Sequence, residues 1–164
     1  MSTPGGKVLF RHPANFFALG FGSGLAPFAP GTFGTLAGIP IFLLLTEVST
    51  GWYWLALVTG FLIGIPICEK AMESLRDSGH SGHDHPCIVW DEIVGFLLTM
   101  LLIPVSVLSV VLGFLVFRLF DILKPWPIRV IDRKVKGGFG IMIDDIVAAV
   151  FANLLLRGIL FLFP

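Results

Sequence analysis

The charged residues of this chain are few, and they lie in short groups between long apolar stretches. Only 13% of the 164 residues are charged, against roughly 25% in soluble domains. The hydrophobic share is 55% and the mean hydropathy is +0.92. Ionisable groups in or beside apolar helices are costly, so they usually have a function. The pattern predicts a polytopic membrane protein, organised as one domain over residues 1–164.

Five apolar stretches predict an all-α membrane helical bundle with about five spans. They are residues 33–46, 52–68, two arms within the uncharged run 93–117, and 146–163. Several are shorter than the roughly 20 residues of a full span. We therefore expect the second helix to extend to about Asp77 and the fifth to begin near Gly140.

The run 93–117 has two possible structures. As one helix it would reach about 37 Å, enough for a tilted span. A turn at residues 104–106 would instead make it a hairpin. We favour the hairpin because it returns Asp121 to the membrane face that carries Asp91 and Glu92.

This arrangement puts nearly all charge on one side of the membrane. Ten of the eleven acids and ten of the eleven bases share a face, and only Glu47 and Arg157 fall on the other. The positive-inside rule makes the charged face, with the N-terminus, cytoplasmic. The zero net charge implies no nucleic-acid partner. Cys68 and Cys87 are expected to be free thiols.

Two pairs of adjacent acids open predicted helices at this face. Asp91 and Glu92 begin the third helix, and Asp144 and Asp145 begin the fifth. Neighbours on a helix point about 100° apart, so one member of each pair can face inward. Such acids could simply complement the helix dipole. Two pairs at one face also suit Mg²⁺, which uses one or two carboxylates and the substrate phosphate.

Other polar groups could support phosphate chemistry. Glu69 begins an acidic stripe with Glu73 and Asp77 at i, i+4 and i+8, which could equally be a solvated helical face. A loop containing His83 and Asp84 matches no standard zinc spacing and could touch substrate.

Two further features suit an anion. Thr32 lies in a glycine-rich stretch where a helix begins, so it could help bind phosphate or merely cap the helix. Arg118, Asp121 and Lys124 are spaced by three residues, as in a local ion-pair ladder or a phosphate-binding group. Residues 127–135, after Trp126, could lie among lipid headgroups or form an ordinary basic loop.

Short motifs run along nearly the whole chain. They are Gly22-Ser23-Gly24, Pro30-Gly31-Thr32, His83-Asp84-His85, Ile88-Val89-Trp90-Asp91-Glu92, Phe117-Arg118 with Asp121, Lys124-Pro125-Trp126-Pro127-Ile128-Arg129, Asp132-Arg133, and Gly137-Gly138 with Gly140-Ile141-Met142-Ile143-Asp144-Asp145. In this order they make the chain resemble the bacterial phosphatidylglycerophosphatase A family. Each motif alone is weak, but the combination is specific.

The resemblance implies a multi-pass enzyme of the bacterial inner membrane, surrounded by lipid, with its site facing the cytoplasm. It would use Mg²⁺ to hydrolyse phosphatidylglycerophosphate to phosphatidylglycerol and inorganic phosphate. The expected catalytic acids are Asp91, Glu92, Asp121, Asp144 and Asp145. The expected metal ligands are Glu69, Asp91, Glu92, Asp144 and Asp145. The expected substrate and phosphate binders are Thr32, His83, Asp84, Arg118, Lys124 and Arg129.

Two other classes of protein remain open at this point. The acids and histidines could belong to a small cation or metal transporter, although no inverted repeat is visible. A lipid-binding protein without catalysis is the other class. The sequence leaves open whether water attacks directly or through an aspartyl-phosphate, and it does not indicate the oligomeric state.

Overall fold

The computed structural model describes residues 9–10, 12–77 and 85–162, which form helices and turns without a strand. The helices are α1 Pro13–Ala18, α2 Pro30–Thr46, α3 Thr50–Asp77, α4 Trp90–Thr99, α5 Val107–Leu123, α6 Ile128–Lys134 and α7 Gly137–Leu162, with a 3-10 turn over Gly20–Leu25. The all-α class is confirmed, as is the extension of α3 to Asp77. Both cysteines are buried and free, as expected.

The short helix α4 is the centre of the bundle. It packs against α2, α3, α5 and α7, and most of its residues are buried. Gly95 allows this close packing, because a Cβ at this position would collide with the ring of Phe117 and would touch the backbone of Asp145. Since α4 is enclosed by other helices, its start and end are both set within protein.

The run 93–117 forms the hairpin that we favoured. Residues 100–106 join α4 to α5, with Leu102 in a left-handed conformation at φ 58°. Ser106 then caps α5 through a reciprocal hydrogen-bond pair with Ser109. The two helices are antiparallel, so Arg118 near the end of α5 lies 3.7 Å from Glu92 at the start of α4.

Side chains of α7 donate hydrogen bonds to the carbonyls at the C-terminal end of α4. Asn153 Nδ2 donates to the carbonyls of Thr99 at 2.8 Å and Leu101 at 3.0 Å. Arg157 Nη2 also donates to Leu101, and its Nε donates to the Asn153 side chain. Carbonyls at a helix end have no partner within the helix, and lipid offers none. Arg157, the one base outside the charged face, therefore has a structural partner.

The structure contains fewer full-length spans than expected. Among the described residues, only α3 and α7 are long and apolar enough to cross a membrane, and α2 is a shorter apolar helix. At 17 residues, α2 and α5 each reach about 26 Å, and α4 reaches about 15 Å. These lengths fall below the roughly 30 Å of a hydrocarbon core.

The turns between helices separate the two ends of the bundle. A small cavity is lined by Thr46, Val48 and residues 100–105, so the α2–α3 turn and the α4–α5 turn lie side by side. The acids Asp91 and Glu92 begin α4 at the opposite end. The expected grouping of acids at one end is thus present in the helices themselves.

We predict that Asn153→Leu lowers the free energy of unfolding by about 1–3 kcal/mol, because the buried Thr99 carbonyl loses its donor and the Leu101 carbonyl keeps only Arg157. Thermal unfolding of purified protein in detergent would measure this loss. Leu154→Ala, on the exposed side of the same turn, is the control and should unfold close to the wild type. Equal melting temperatures for Asn153→Leu and the wild type would contradict the role given to Asn153.

Candidate active site

Three acids from two helices meet at the inner face of α4. Asp91 and Glu92 lie in its first turn, and Asp145 comes from α7. One carboxylate oxygen from each lies within 4.8 Å of the others. Asp91 and Asp145 are buried, and Glu92 is half-buried. The α4–α7 packing thus forces three carboxylates together in an apolar bundle.

These carboxylates are not fully satisfied by protein. Asp91 Oδ1 and Asp145 Oδ2 are buried, and neither accepts a hydrogen bond from any described residue. A buried charge without a partner is strongly unfavourable. The three acids, which we call the acid cluster, are placed so that they could hold a cation.

A second group borders the acid cluster through Arg118. Its guanidinium forms ion pairs with Asp121, one turn further along α5, and with Glu92. Asp121 in turn lies within hydrogen-bonding reach of Asp145. Arg118 therefore holds Asp121 against the acid cluster. Its Nε is buried and donates to none of the described residues, so a donor remains for an anion.

A third group is formed by Lys124, which ends α5 in a left-handed conformation at φ 42°. Its Nζ lies 2.6 Å from Asp132 Oδ1 on α6 and 2.5 Å from Asp144 Oδ2 on α7. Burial opposes the charge on Lys124, but Asp144 and Asp132 raise its pKa above the ordinary value. Lys124 thus remains a cation and fastens three helices beside the acid cluster.

A polar cavity of about 210 Å³ opens next to Asp144. Its lining includes the bases Arg133 and Lys136, the acid Asp132, and Gly137 at the start of α7. We did not expect these residues at the site from the sequence. We expected residues 127–135 to lie among lipid headgroups or to form a basic loop. The Asp132-Arg133 motif was the feature that could have pointed to them.

The acid pairs behave differently from each other. Asp145 enters the acid cluster, while Asp144, which was also an expected metal ligand, pairs with Lys124 instead. Asp91 and Glu92 both enter it. An oxygen at the end of a glutamate side chain can turn back toward its neighbour, and the 100° rule for adjacent residues does not capture this reach.

Glu69, one of the expected metal ligands, lies apart from the acid cluster. Its Oε2 accepts a hydrogen bond from the backbone N–H of Gly138 in the first turn of α7, and it is not part of the acid cluster. A carboxylate at this position complements the positive end of the helix dipole. Glu69 fastens α3 to α7 and positions the helix that carries Asp145.

The expected phosphate binders have separate positions. Arg129 Nη2 donates to the carbonyl of Leu123 at the end of α5. Thr32 follows Gly31, where a Cβ would collide with Glu92 and crowd Arg118. The first turn of α2 therefore touches the Glu92–Arg118 pair. His83 and Asp84 lie outside the described residues, so their expected role stays a prediction.

Comparison with known proteins gives matches over most of the chain. The family model described as phosphatidylglycerophosphatase A matches residues 16–160. A phosphatidylglycerophosphatase A of Escherichia coli (strain K12) is 45% identical over 147 residues, which are 89% of this chain and 83% of that protein. This chain belongs to the phosphatidylglycerophosphatase A family. The matched range 16–160 contains all three residues of the acid cluster.

Two further relatives extend the family. A phosphatidylglycerophosphatase A of Haemophilus influenzae (strain ATCC 51907 / DSM 11121 / KW20 / Rd) is 43% identical over 148 residues, covering 89% of this chain and 88% of that protein. A Bacteroides thetaiotaomicron protein named putative phosphatidylinositol-3-phosphatase is 36% identical over 144 residues, covering 84% and 87%. No solved structure matches the chain. The resemblance to the family is confirmed.

We predict that Lys124→Met destabilises the protein by about 3 kcal/mol, because Asp144 is left buried without its cation. Lys134→Met is the matched control, since Lys134 is exposed on α6. Chemical denaturation in a mild detergent would compare the two. If both variants unfolded at the same denaturant concentration, Lys124 would not fasten α5, α6 and α7.

Proposed function

We propose that this protein is a lipid phosphatase that hydrolyses phosphatidylglycerophosphate to phosphatidylglycerol and inorganic phosphate. The observation that carries the proposal is the acid cluster of Asp91, Glu92 and Asp145, with oxygens within 4.8 Å of one another. It occurs in a chain that belongs to a family named for this reaction. Two of the relatives carry that name, so we favour this substrate over phosphatidylinositol 3-phosphate.

The donor set fits Mg²⁺. Six carboxylates meet at the site, from Asp91, Glu92, Asp121, Asp132, Asp144 and Asp145, and in the described residues two cationic side chains, Arg118 and Lys124, pair with them. The excess of negative charge, all on oxygen ligands, suits a hard divalent cation. Asp91, Glu92 and Asp145 would hold the ion, which when bound polarises a phosphoryl oxygen and makes bound water more acidic.

The neighbouring residues would bind and orient the phosphate. The Nε of Arg118 is buried and donates to none of the described residues. Guanidinium groups bind phosphate oxygens well. The start of α2 at Gly31 lies against the same side chain, and helix N-termini favour anions. Arg133 and Lys136 would receive the remaining polar headgroup in the cavity beside Asp144.

A water molecule that attacks phosphorus opposite the leaving group would need a proton acceptor. Asp121 is suited to this role, since Arg118 fixes it and it lies beside Asp145. It would orient the water and take its proton during attack on phosphorus. Direct attack and an aspartyl-phosphate route both remain compatible with this arrangement of acids.

We also propose five membrane helices, α2, α3, α4, α5 and α7, with the site at the cytoplasmic face of the bacterial inner membrane. The short α4 need not span the hydrocarbon, because four other helices surround it. The basic residues of α6 lie at the end that carries the acid cluster, as the positive-inside rule requires of a cytoplasmic face. Trp126 is 82% exposed there, which suits an interfacial anchor.

The small cation transporter is the alternative from a different class. It gains no support from the named relatives. The described acids other than Glu47 also lie toward one end of the bundle rather than along a path through it.

Phosphate release by the purified protein tests the proposed reaction and the need for Mg²⁺ together. Purified protein should release phosphate from phosphatidylglycerophosphate with Mg²⁺ and not with a chelator, and Asp91→Asn should lower kcat/KM by about 10²–10³-fold. Mg²⁺ should raise the melting temperature of the wild type, since it binds the folded state, but not that of Asp91→Asn.

Asp77→Asn is the control for this experiment, because Asp77 is an exposed acid near the same face. It should keep both its activity and its response to Mg²⁺. Phosphate release that continues in chelator would contradict the metal assignment. Faster release from phosphatidylinositol 3-phosphate would instead overturn the choice of substrate.

Reporter fusions test the proposed membrane topology. Reporters fused after Glu47 or Pro104 should report the periplasm, and one fused after Lys136 should report the cytoplasm, because the two tight turns lie at the end away from the acid cluster. Alkaline phosphatase and a fluorescent protein give opposite readouts for each position. A cytoplasmic result at Glu47 would invert the arrangement.

A further inference from the structure

An apolar groove of about 440 Å³ lies between α2, α3 and α4. Its α4 wall consists of Trp90, Ile93, Val94 and Leu97. These positions follow an i, i+3, i+4, i+7 pattern, so they form one continuous stripe along the helix. The stripe begins at the level of Asp91 and extends about 10 Å away from it.

The opposite wall runs along α3 in the same way. Ala56, Thr59, Gly60, Ile63 and Ile67 line it at helical spacing. From Ile67 to Thr59 the wall extends about 12 Å. The groove is therefore long and narrow, and its walls are almost entirely hydrocarbon.

The groove ends at residues that directly precede the candidate active site in α4 and α3. Trp90 lines its near end and is followed in α4 by Asp91 of the acid cluster. Ile67 lines the same end of the α3 wall and is followed by Cys68, which is close enough to Asp91 to interact with it electrostatically. A molecule lying in the groove thus has one end beside the carboxylates.

Two hydrogen bonds join α3 to α4 along the groove. Trp90 Nε1 donates to the carbonyl of Gly60 at 3.0 Å, and Tyr53 Oη donates to the carbonyl of Leu97 at 2.7 Å. Phe17 packs edge-on against Trp90, with ring centroids 6.2 Å apart. These contacts fix the separation of α3 and α4, so the groove is a formed feature of the bundle.

We propose that this groove binds one acyl chain of the lipid substrate and so aligns its phosphate with the acid cluster. The inference rests on the proposed function and adds to it the place in the fold that one acyl chain of the lipid would occupy. A lipid must place a charged headgroup and a hydrocarbon chain in adjacent sites. The groove and the acid cluster are adjacent in this way along α4.

The test compares two isosteric neighbours on α3. Thr59 lines the groove, whereas Val58, similar in size and also exposed, does not. Thr59→Phe should lower kcat/KM on long-chain phosphatidylglycerophosphate by about tenfold, as expected for lost contact with two methylene groups. It should leave a dihexanoyl substrate unaffected, because a six-carbon chain is too short to reach Thr59. Val58→Phe should affect neither substrate.

The outcomes decide between clear alternatives. Loss on the long-chain substrate alone, in Thr59→Phe alone, supports the groove as the chain site. No loss, an equal loss on both substrates, or the same loss in Val58→Phe would overturn it.

A binding measurement separates the groove from the reaction. Phosphatidylglycerophosphate with a diazirine in the middle of one acyl chain is photolysed with the purified protein in micelles, and labelled peptides are mapped by mass spectrometry. Label should concentrate at Ala56, Thr59 and Ile63. Excess unlabelled substrate should reduce it, and phosphatidylcholine should not.

This second measurement distinguishes the two possible failures. Specific labelling without any phosphate release would leave the groove standing and reject the proposed reaction. Phosphate release with label spread evenly over Leu55, Val58 and Leu62, or reduced equally by phosphatidylcholine, would reject the groove and retain the reaction.

Discussion

The structure depends on a helix that ends inside an apolar bundle. α4 has only ten residues, and Thr99 and Leu101 at its end are buried, so an unpaired carbonyl there would be costly. Asn153 and Arg157 satisfy the carbonyls of Thr99 and Leu101. Without such donors a helix this short could not be kept at the centre of the packing.

The same constraint sets the geometry of the carboxylates. The donors that complete α4 belong to α7, and α7 also carries Asp144 and Asp145 near its other end. Fixing the end of α4 against Asn153 therefore fixes its start against Asp145. Glu69 adds a second restraint at Gly138, so the position of α7 along α3 is also defined. A cluster of buried carboxylates repels itself, and this framework supplies the opposing structural restraint.

Much of this arrangement could be predicted from the sequence because strong physical penalties left few alternatives. The hairpin followed from Pro104 within an apolar run and from the need to keep Asp91 and Asp121 on one side. The divergence of Asp144 from Asp145 followed from helix geometry. Local patterns of this kind depend on spacing alone, and spacing is fully visible in a sequence.

Other features depend on tertiary contacts and could not be predicted in this way. Glu69 lies deepest in an acidic stripe, but the sequence does not show that it meets an N–H of α7, because Gly138 is remote in sequence. Lys124 acquired its place from a left-handed turn that brings Asp132 and Asp144 to one ammonium group. Fewer helices are of full-length span than expected, because α2, α4 and α5 have only 17, 10 and 17 residues and hydropathy does not show where a helix ends.

The length of α3 has a consequence for the surroundings of the protein. Its 28 residues extend about 42 Å, well beyond a hydrocarbon core of about 30 Å. The extra length of α3 forms a helical segment at the polar end of the bundle. Asn15 of α1 donates a hydrogen bond to Ser74 in this segment. In the membrane arrangement proposed above, a thicker bilayer would leave less of this segment outside the hydrocarbon and would bring α1 closer to the headgroups. Membrane thickness would then set how far the polar end stands from the lipid surface.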